Sequence, residues 1–148
     1  MAATAMMTGC GSILWMAPEI LLGAKYNEKI DVYSYAMCLL ELVHRNLPWH
    51  GSGVGQQAIP VRVTKGQRPD AQLRKCKPPE FKALIEECWD QDPHRRPEFP
   101  VIVHKIDQMY VNEITRTSAL RTSNPSRRKS SEHSRPASPS IHPDRIDE

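Results

Sequence analysis

Apolar residues are most concentrated over Val32–Val43, where they occupy most positions of a helical wheel rather than one face. A helix that is apolar on nearly all sides is expected to be buried on nearly all sides. Ser34 and Glu41 interrupt it, and it is too short for a bilayer span, which needs about 20 apolar residues. Asp31 is predicted to be its N-cap, because a short carboxylate accepts the unpaired amide hydrogens of a first turn. The pattern predicts the central helix of a helical domain, ending near His44.

Shorter patterned segments lie on both sides of this helix. Pro18 fits the first turn of a short helix that Gly23 ends. Pro60 must lie in the first turn of a further helix or kink it. Two longer helices open at Pro78 and at Pro97, and each has a one-sided apolar stripe. The first stripe consists of Phe81, Leu84, Ile85, Cys88 and Trp89, and the second of Phe99, Ile102, Val103, Ile106, Met109 and Tyr110.

The apolar pattern stops near residue 112. Residues 112–148 are rich in Ser, Arg and Pro and contain no aromatic side chain. Such a segment buries too little apolar surface to offset its chain entropy, so we expect it to be disordered. Residues 1–111 form the predicted ordered domain, which is all helix and loop and is large enough for a modest core.

Composition narrows the classes of function. The net charge of +3 among 148 residues is too small to indicate nucleic-acid binding. No basic segment followed by an apolar run marks a signal peptide. The cysteines show no C-x-x-C spacing, which argues against a zinc or redox site and favours buried or idle surface thiols. They are Cys10, Cys38, Cys76 and Cys88.

Four short motifs recur in one order along the chain. They are Gly-Ser-Ile-Leu-Trp-Met-Ala-Pro-Glu at 11–19, Asp-Val-Tyr-Ser-Tyr-Ala at 31–36, Gly-Gln-Arg-Pro at 66–69 and Cys-Trp-Asp-Gln-Asp-Pro-His-Arg-Arg-Pro at 88–97. Together they resemble the helical C-terminal lobe of the protein kinase superfamily, from the A-P-E end of the activation segment onward. The residues of the first and last motifs are most similar to those of the tyrosine-kinase-like group, whose members mostly phosphorylate Ser and Thr. The resemblance implies a mainly α fold without the β-rich N-terminal lobe and the catalytic loop.

The resemblance also implies roles for single residues. Glu19 would form a buried ion pair with Arg96 that fastens the activation segment to the helical lobe. Asp31 would support the backbone of the catalytic loop, and the N-cap role is compatible with this. Without the resemblance, Glu19 and Arg96 are better interpreted as two solvated surface charges. The residues implied in substrate positioning are Gly11, Ser12, Trp15 and Met16.

The residues with which kinases bind ATP and Mg²⁺ and catalyse transfer have no counterpart in this sequence. Gly51–Gly55 has the form G-x-G-x-G, but it lacks the final spacing and a preceding strand, and we interpret it as loop. His44–Asn46 mimics H-R-D but follows A-P-E and has Asn for the catalytic Asp. We therefore assign no catalytic, cofactor-binding or metal residue, and expect ATP and Mg²⁺ only in the intact family domain.

Three interpretations of function stay open. In the first, the chain is the C-terminal half of a cytoplasmic serine/threonine kinase, and alone it neither binds ATP nor catalyses. In the second, it is a non-catalytic, pseudokinase-like adaptor or regulatory lobe. In the third, it is a relic or a mispredicted reading frame. The implied partners are a protein substrate or regulatory protein and the missing N-terminal half of the kinase, rather than nucleic acid or a membrane.

Two further expectations concern the surface. Ser130 and Ser131 follow a basic run and Ser138 precedes a proline, so all three are candidate phosphorylation sites, although such short motifs also match by chance. In kinases the catalytic loop lies against one face of the central helix. That face is expected to be bare here, and a bare apolar face favours association.

Overall fold

The computed structural model describes residues 11–74 and 76–123 of the chain. Its α-helices are α1 (Pro18–Leu21), α2 (Lys29–His44), α3 (Ile59–Thr64), α4 (Asp70–Leu73), α5 (Pro79–Cys88) and α6 (Phe99–Ser123). Single 3₁₀ turns are formed by Gly11–Trp15, Gln56–Ala58 and Pro93–Arg95. No strand occurs within the described ranges, and the predicted mainly α fold class is confirmed.

Proline and glycine set several of the helix ends. Pro18, Pro60 and Pro79 each lie in the first turn of a helix, where the missing amide hydrogen is not needed. Gly23 and Gly66 follow α1 and α3 with positive φ angles of 65° and 80°, which glycine adopts without steric cost. The predicted positions of Pro18, Pro60 and Gly23 are confirmed.

The start of α2 corrects one prediction. Asp31 is not the N-cap, because the helix begins at Lys29, whose amide donates to Asn27 Oδ1 at 3.2 Å. The N-cap is Glu28, which makes no side-chain capping bond, and Asp31 lies exposed in the first turn. Its carboxylate still faces the positive end of the helix dipole. The C-terminus is as predicted, since His44 is the last residue and Arg45 is left-handed with φ 55°.

The core is built around α2, which packs against the Gly11–Trp15 turn, α4 and α5. From α5 and its end, the buried side chains are Leu84, Ile85, Cys88 and Trp89, and this part of the predicted stripe is confirmed. From α2, the buried apolar and aromatic side chains are Val32, Tyr33, Ala36, Met37, Leu39 and Leu40. Each large one contributes roughly 1.5–3 kcal/mol when fully buried.

One face of α2 remains outside the core. Leu42 is 73% exposed and Cys38 is also exposed. Both line a shallow depression on this face together with Glu41 and Arg45. The prediction of burial on nearly all sides is therefore wrong for this face.

Helix α6 packs more narrowly than its sequence predicts. Ile102 is buried, and Ile106 and Met109 are half-buried. These residues are spaced i, i+4 and i+7, so they form one line along the helix. Phe99, Val103 and Tyr110 are exposed, at 42%, 56% and 67%. The predicted stripe is wrong for these three because the domain covers only that single line.

The chain divides into two units between Val111 and Asn112. In the second unit α6 continues to Ser123, although the sequence predicts disorder from residue 112. No proline or glycine interrupts residues 112–123, so the backbone can extend the helix, and the side chains of residues 112–120 are exposed. The candidate phosphorylation sites Ser130, Ser131 and Ser138 lie outside the described residues. In the described part of the chain, no helix has the length and apolar character needed to cross a membrane.

Candidate functional site

A bidentate ion pair joins the first helix to the segment before the last one. Arg96 Nη1 donates to Glu19 Oε1 at 2.6 Å, and Nη2 donates to Oε2 at 2.9 Å. Both residues are buried, with 2% of Arg96 and 8% of Glu19 exposed. The planar fork of a guanidinium matches the two carboxylate oxygens and fixes their relative orientation. The structure thus brings together the two residues for which the resemblance implies an ion pair.

Two further hydrogen bonds of Arg96 go to backbone oxygens. Nη1 also donates to the Lys29 carbonyl oxygen at 2.9 Å, and Nε donates to that of Asp90 at 2.9 Å. These bonds compensate the cost of removing a guanidinium from water. One side chain therefore connects α1, the start of α2 and the turn that follows α5.

The environment keeps Glu19 ionised. Burial acts to raise the pKa of its carboxyl, but the hydrogen bonds from Arg96 and the charges of Arg96 and Arg68 outweigh it. The net effect is a pKa below the ordinary glutamate value. The pair is therefore charged on both sides at neutral pH.

Lys29 is a buried residue that sequence reasoning missed. Its Nζ donates to the Arg96 carbonyl oxygen at 3.0 Å and pairs with the carboxylate of Glu98. Lys29 and Arg96 thus each donate to the other's backbone carbonyl. No local signal marks this lysine, because its partners lie 67 and 69 positions away.

Tyr33 of α2 lies beside two guanidinium groups. The Arg68 and Arg96 carbons Cζ are 5.0 and 5.2 Å from its ring centroid, within cation–π range. Arg68 is fixed by the carbonyl oxygens of Trp89 at 3.0 Å and Val63 at 3.2 Å. Burial raises the pKa of the Tyr33 phenol to about 12. Its hydroxyl has no hydrogen-bond partner among the described residues.

Ser34, the next residue, binds the predicted substrate-positioning segment. Its Oγ donates to the Trp15 carbonyl oxygen at 2.8 Å. Within the turn, the Met16 amide donates to the Ile13 carbonyl oxygen at 3.4 Å. Trp15 and Met16 are half-buried, whereas Leu14 before them and Ala17 after them are buried. The segment is held at both ends and leaves the middle pair partly open to solvent.

The other predicted site residues are placed as follows. Gly11 and Ser12 lie in the same 3₁₀ turn as Trp15, with the Ser12 side chain outside the described atoms. Asp31 lies exposed on the first turn of α2. The structure thus assembles Trp15, Met16, Glu19 and Arg96 around the N-terminal part of α2.

The described residues of this site do not form a metal centre. Within 11–74 and 76–123, no three His, Cys, Asp or Glu side chains come close enough together to hold a metal ion. Glu19 and Arg96 are paired with each other, and Arg96 also donates to backbone oxygens.

Comparison with known proteins identifies the family. The family model for protein tyrosine and serine/threonine kinases matches residues 2–106. A probable serine/threonine-protein kinase of Dictyostelium discoideum is 42% identical over 110 residues, which cover 74% of this chain and 7% of that protein. Serine/threonine-protein kinase STY17 of Arabidopsis thaliana is 39% identical over 99 residues, covering 67% and 17%. Mitogen-activated protein kinase kinase kinase 11 of Homo sapiens is 33% identical over 106 residues, covering 72% and 12%.

The chain thus spans less than a fifth of the length of each of these relatives. The kinase match covers the described helices from the Gly11–Trp15 turn into α6. It includes both Glu19 and Arg96. The resemblance to protein kinases is confirmed, and this chain belongs to the protein tyrosine and serine/threonine kinase family.

Proposed function

We propose that this chain is the substrate-side part of a serine/threonine protein kinase domain. In the intact domain, ATP-dependent phosphoryl transfer to Ser or Thr hydroxyls of proteins uses nucleotide-binding and catalytic elements that this sequence does not contain. The chain's own residues orient the protein substrate. The observation that carries this proposal is the buried, bidentate pair of Glu19 and Arg96, which fixes the end of the segment containing Trp15 and Met16.

The geometry supports a positioning role. Phosphoryl transfer depends largely on placing the attacking hydroxyl in line with the nucleotide, so a rigid peptide platform contributes to rate. Trp15 and Met16 offer half-exposed apolar surface for such a peptide, while their neighbours Leu14 and Ala17 are buried. The names of the relatives support Ser and Thr as acceptors. We also propose that the protein is cytoplasmic and that Ser130, Ser131 and Ser138 are phosphorylated.

The test begins with the transcript. Its sequence upstream of the Met1 codon is determined, and the longest encoded protein is expressed and assayed for phosphate transfer from Mg²⁺–ATP to a general protein substrate. We expect an in-frame D-F-G, an H-R-D and the lysine of the N-terminal lobe, and transfer to Ser and Thr. The 148-residue chain serves as the matched inactive control. A stop codon directly upstream in every transcript, or a longer protein without transfer, contradicts the proposal.

A non-catalytic adaptor lobe is the competing function. It is favoured by the exposed face of α2 around Leu42, which offers an apolar surface for a partner. An adaptor binds its partner through the 148-residue chain itself and gives no phosphate transfer in any longer form. The same assay therefore separates the two functions.

A further inference from the structure

The carbonyl group at the C-terminal end of the Gly11–Trp15 turn needs a hydrogen-bond donor from outside the turn. The last carbonyl groups of a helical turn have no partner within the turn. For Trp15 that partner comes from α2, because Ser34 Oγ donates to its carbonyl oxygen at 2.8 Å. The bond crosses 19 positions of sequence and is partly buried. It fixes the backbone at the junction between Trp15 and Met16.

Other contacts hold the segment on either side of this junction, and at the junction the Trp15 side chain packs against the core. Leu14 is buried in the core on one side. On the other side Glu19 is tied to Arg96, three residues beyond Met16. The amide of Met16 makes only the long 3.4 Å bond to the Ile13 carbonyl oxygen within the turn. The Ser34 hydroxyl is therefore the direct polar contact from α2 to the half-exposed pair.

We propose that Ser34 is a positioning residue for protein substrate. Ser34 sets the backbone orientation of Trp15 and Met16. That orientation determines the shape of the surface that contacts the substrate residues next to the phosphorylated Ser or Thr. This inference rests on the proposed function. Ser34 acts through the backbone of Trp15, so its removal is expected to change peptide recognition and to leave nucleotide recognition unchanged.

The chain offers a matched control for this bond. Ser52 Oγ donates to the Trp49 carbonyl oxygen at 2.6 Å, which is the same pair of groups in a loop remote in sequence from the turn. Ser34→Ala and Ser52→Ala each remove one hydroxyl bonded to a tryptophan carbonyl. Ser34→Thr keeps a hydroxyl group at position 34.

The first measurement is hydrogen–deuterium exchange of the 148-residue chain. In Ser34→Ala the amides between Ile13 and Glu19 are expected to exchange roughly two- to tenfold faster, as the loss of one neutral hydrogen bond implies. Ser52→Ala leaves these amides unchanged, and Ser34→Thr stays close to the wild type. Unchanged exchange in Ser34→Ala overturns the proposal, as does exchange in Ser34→Thr that is as fast as in Ser34→Ala.

The second measurement is steady-state kinetics of the longest encoded kinase with a peptide substrate. Ser34→Ala is expected to raise the peptide KM roughly two- to tenfold, with the KM for ATP unchanged. Ser34→Thr restores the peptide KM, and Ser52→Ala does not change it. Transfer with an unchanged peptide KM in Ser34→Ala overturns this inference alone. Absence of transfer by the wild type overturns the proposed function and the role of Ser34 with it.

Discussion

The guanidinium of Arg96 holds both carboxylate oxygens of Glu19, at 2.6 and 2.9 Å, across 77 positions of sequence. Both side chains are buried, and Arg96 also donates to the carbonyl oxygens of Lys29 and Asp90. The pair therefore ties three separate parts of the chain to one point. It is the contact on which the proposed positioning of Trp15 and Met16 depends.

Neutralising Glu19 is expected to destabilise the chain. Glu19→Gln leaves the charge of Arg96 buried without a counter-charge, which costs about 3–5 kcal/mol of the free energy of unfolding. Urea unfolding of the 148-residue chain, followed by circular dichroism, measures this change. Glu86→Gln is the matched control, because Glu86 pairs with Lys82 on the surface and its loss costs at most about 1 kcal/mol. Equal losses in the two variants contradict the account of the pair.

The same contact predicts a pH dependence. The folded state lowers the pKa of Glu19, mainly through Arg96 acting against burial. The stabilisation is therefore complete above the ordinary glutamate pKa of about 4.3 and is lost as the pH falls through the lowered folded-state value. The urea midpoints of the wild type and Glu19→Gln should differ at neutral pH and converge in acid. A difference that stays constant into acid contradicts this assignment.

Tyr33→Phe is expected to be tolerated. The variant keeps the ring beside Arg68 and Arg96 and removes a buried hydroxyl that has no partner within the described ranges. The free energy of unfolding should stay the same or rise by about 1 kcal/mol. An absorbance titration in alkali is a second measurement. It should show the Tyr33 phenol ionising only near its raised pKa of about 12. Loss of more than about 1 kcal/mol in Tyr33→Phe shows that the hydroxyl is bonded after all.

Substitutions of an exposed and a buried leucine of α2 are expected to change the free energy of unfolding to very different extents. Leu42 is 73% exposed, so Leu42→Lys should change the free energy of unfolding by no more than about 0.5 kcal/mol and reduce self-association. Leu40 is fully buried, so Leu40→Ala should cost about 2–5 kcal/mol. Urea unfolding and sedimentation velocity measure the two effects. A large loss of stability in Leu42→Lys indicates that this face is covered.

Helix positions followed from the sequence where proline, glycine and apolar spacing act locally. Pro18, Pro60 and Gly23 needed only the backbone rules for their own residue type. Asp31 was placed wrongly as a cap because Asn27, four residues earlier, also carries a suitable side-chain oxygen. The short helix α4 was not predicted, since its four residues are too few for a periodic pattern.

The contacts of the site were harder to predict from the sequence than the positions of the helices. Glu19 and Arg96 were paired only through motifs of the kinase family, and their charges alone favoured a solvated surface. Lys29 lies outside the motifs and Ser34 was only part of one, and neither received a role, because each binds a carbonyl oxygen that only the folded chain brings near. The exposed side of α6 was missed for a similar reason. Periodicity shows which residues share a face and does not show how much of that face a neighbour covers.

The central claim is that this chain carries the substrate side of a kinase domain and not its nucleotide side. It is tested most directly by isothermal titration calorimetry of Mg²⁺–ATP into the folded 148-residue chain. The account predicts no saturable heat up to millimolar nucleotide. Saturable binding with a micromolar Kd contradicts it.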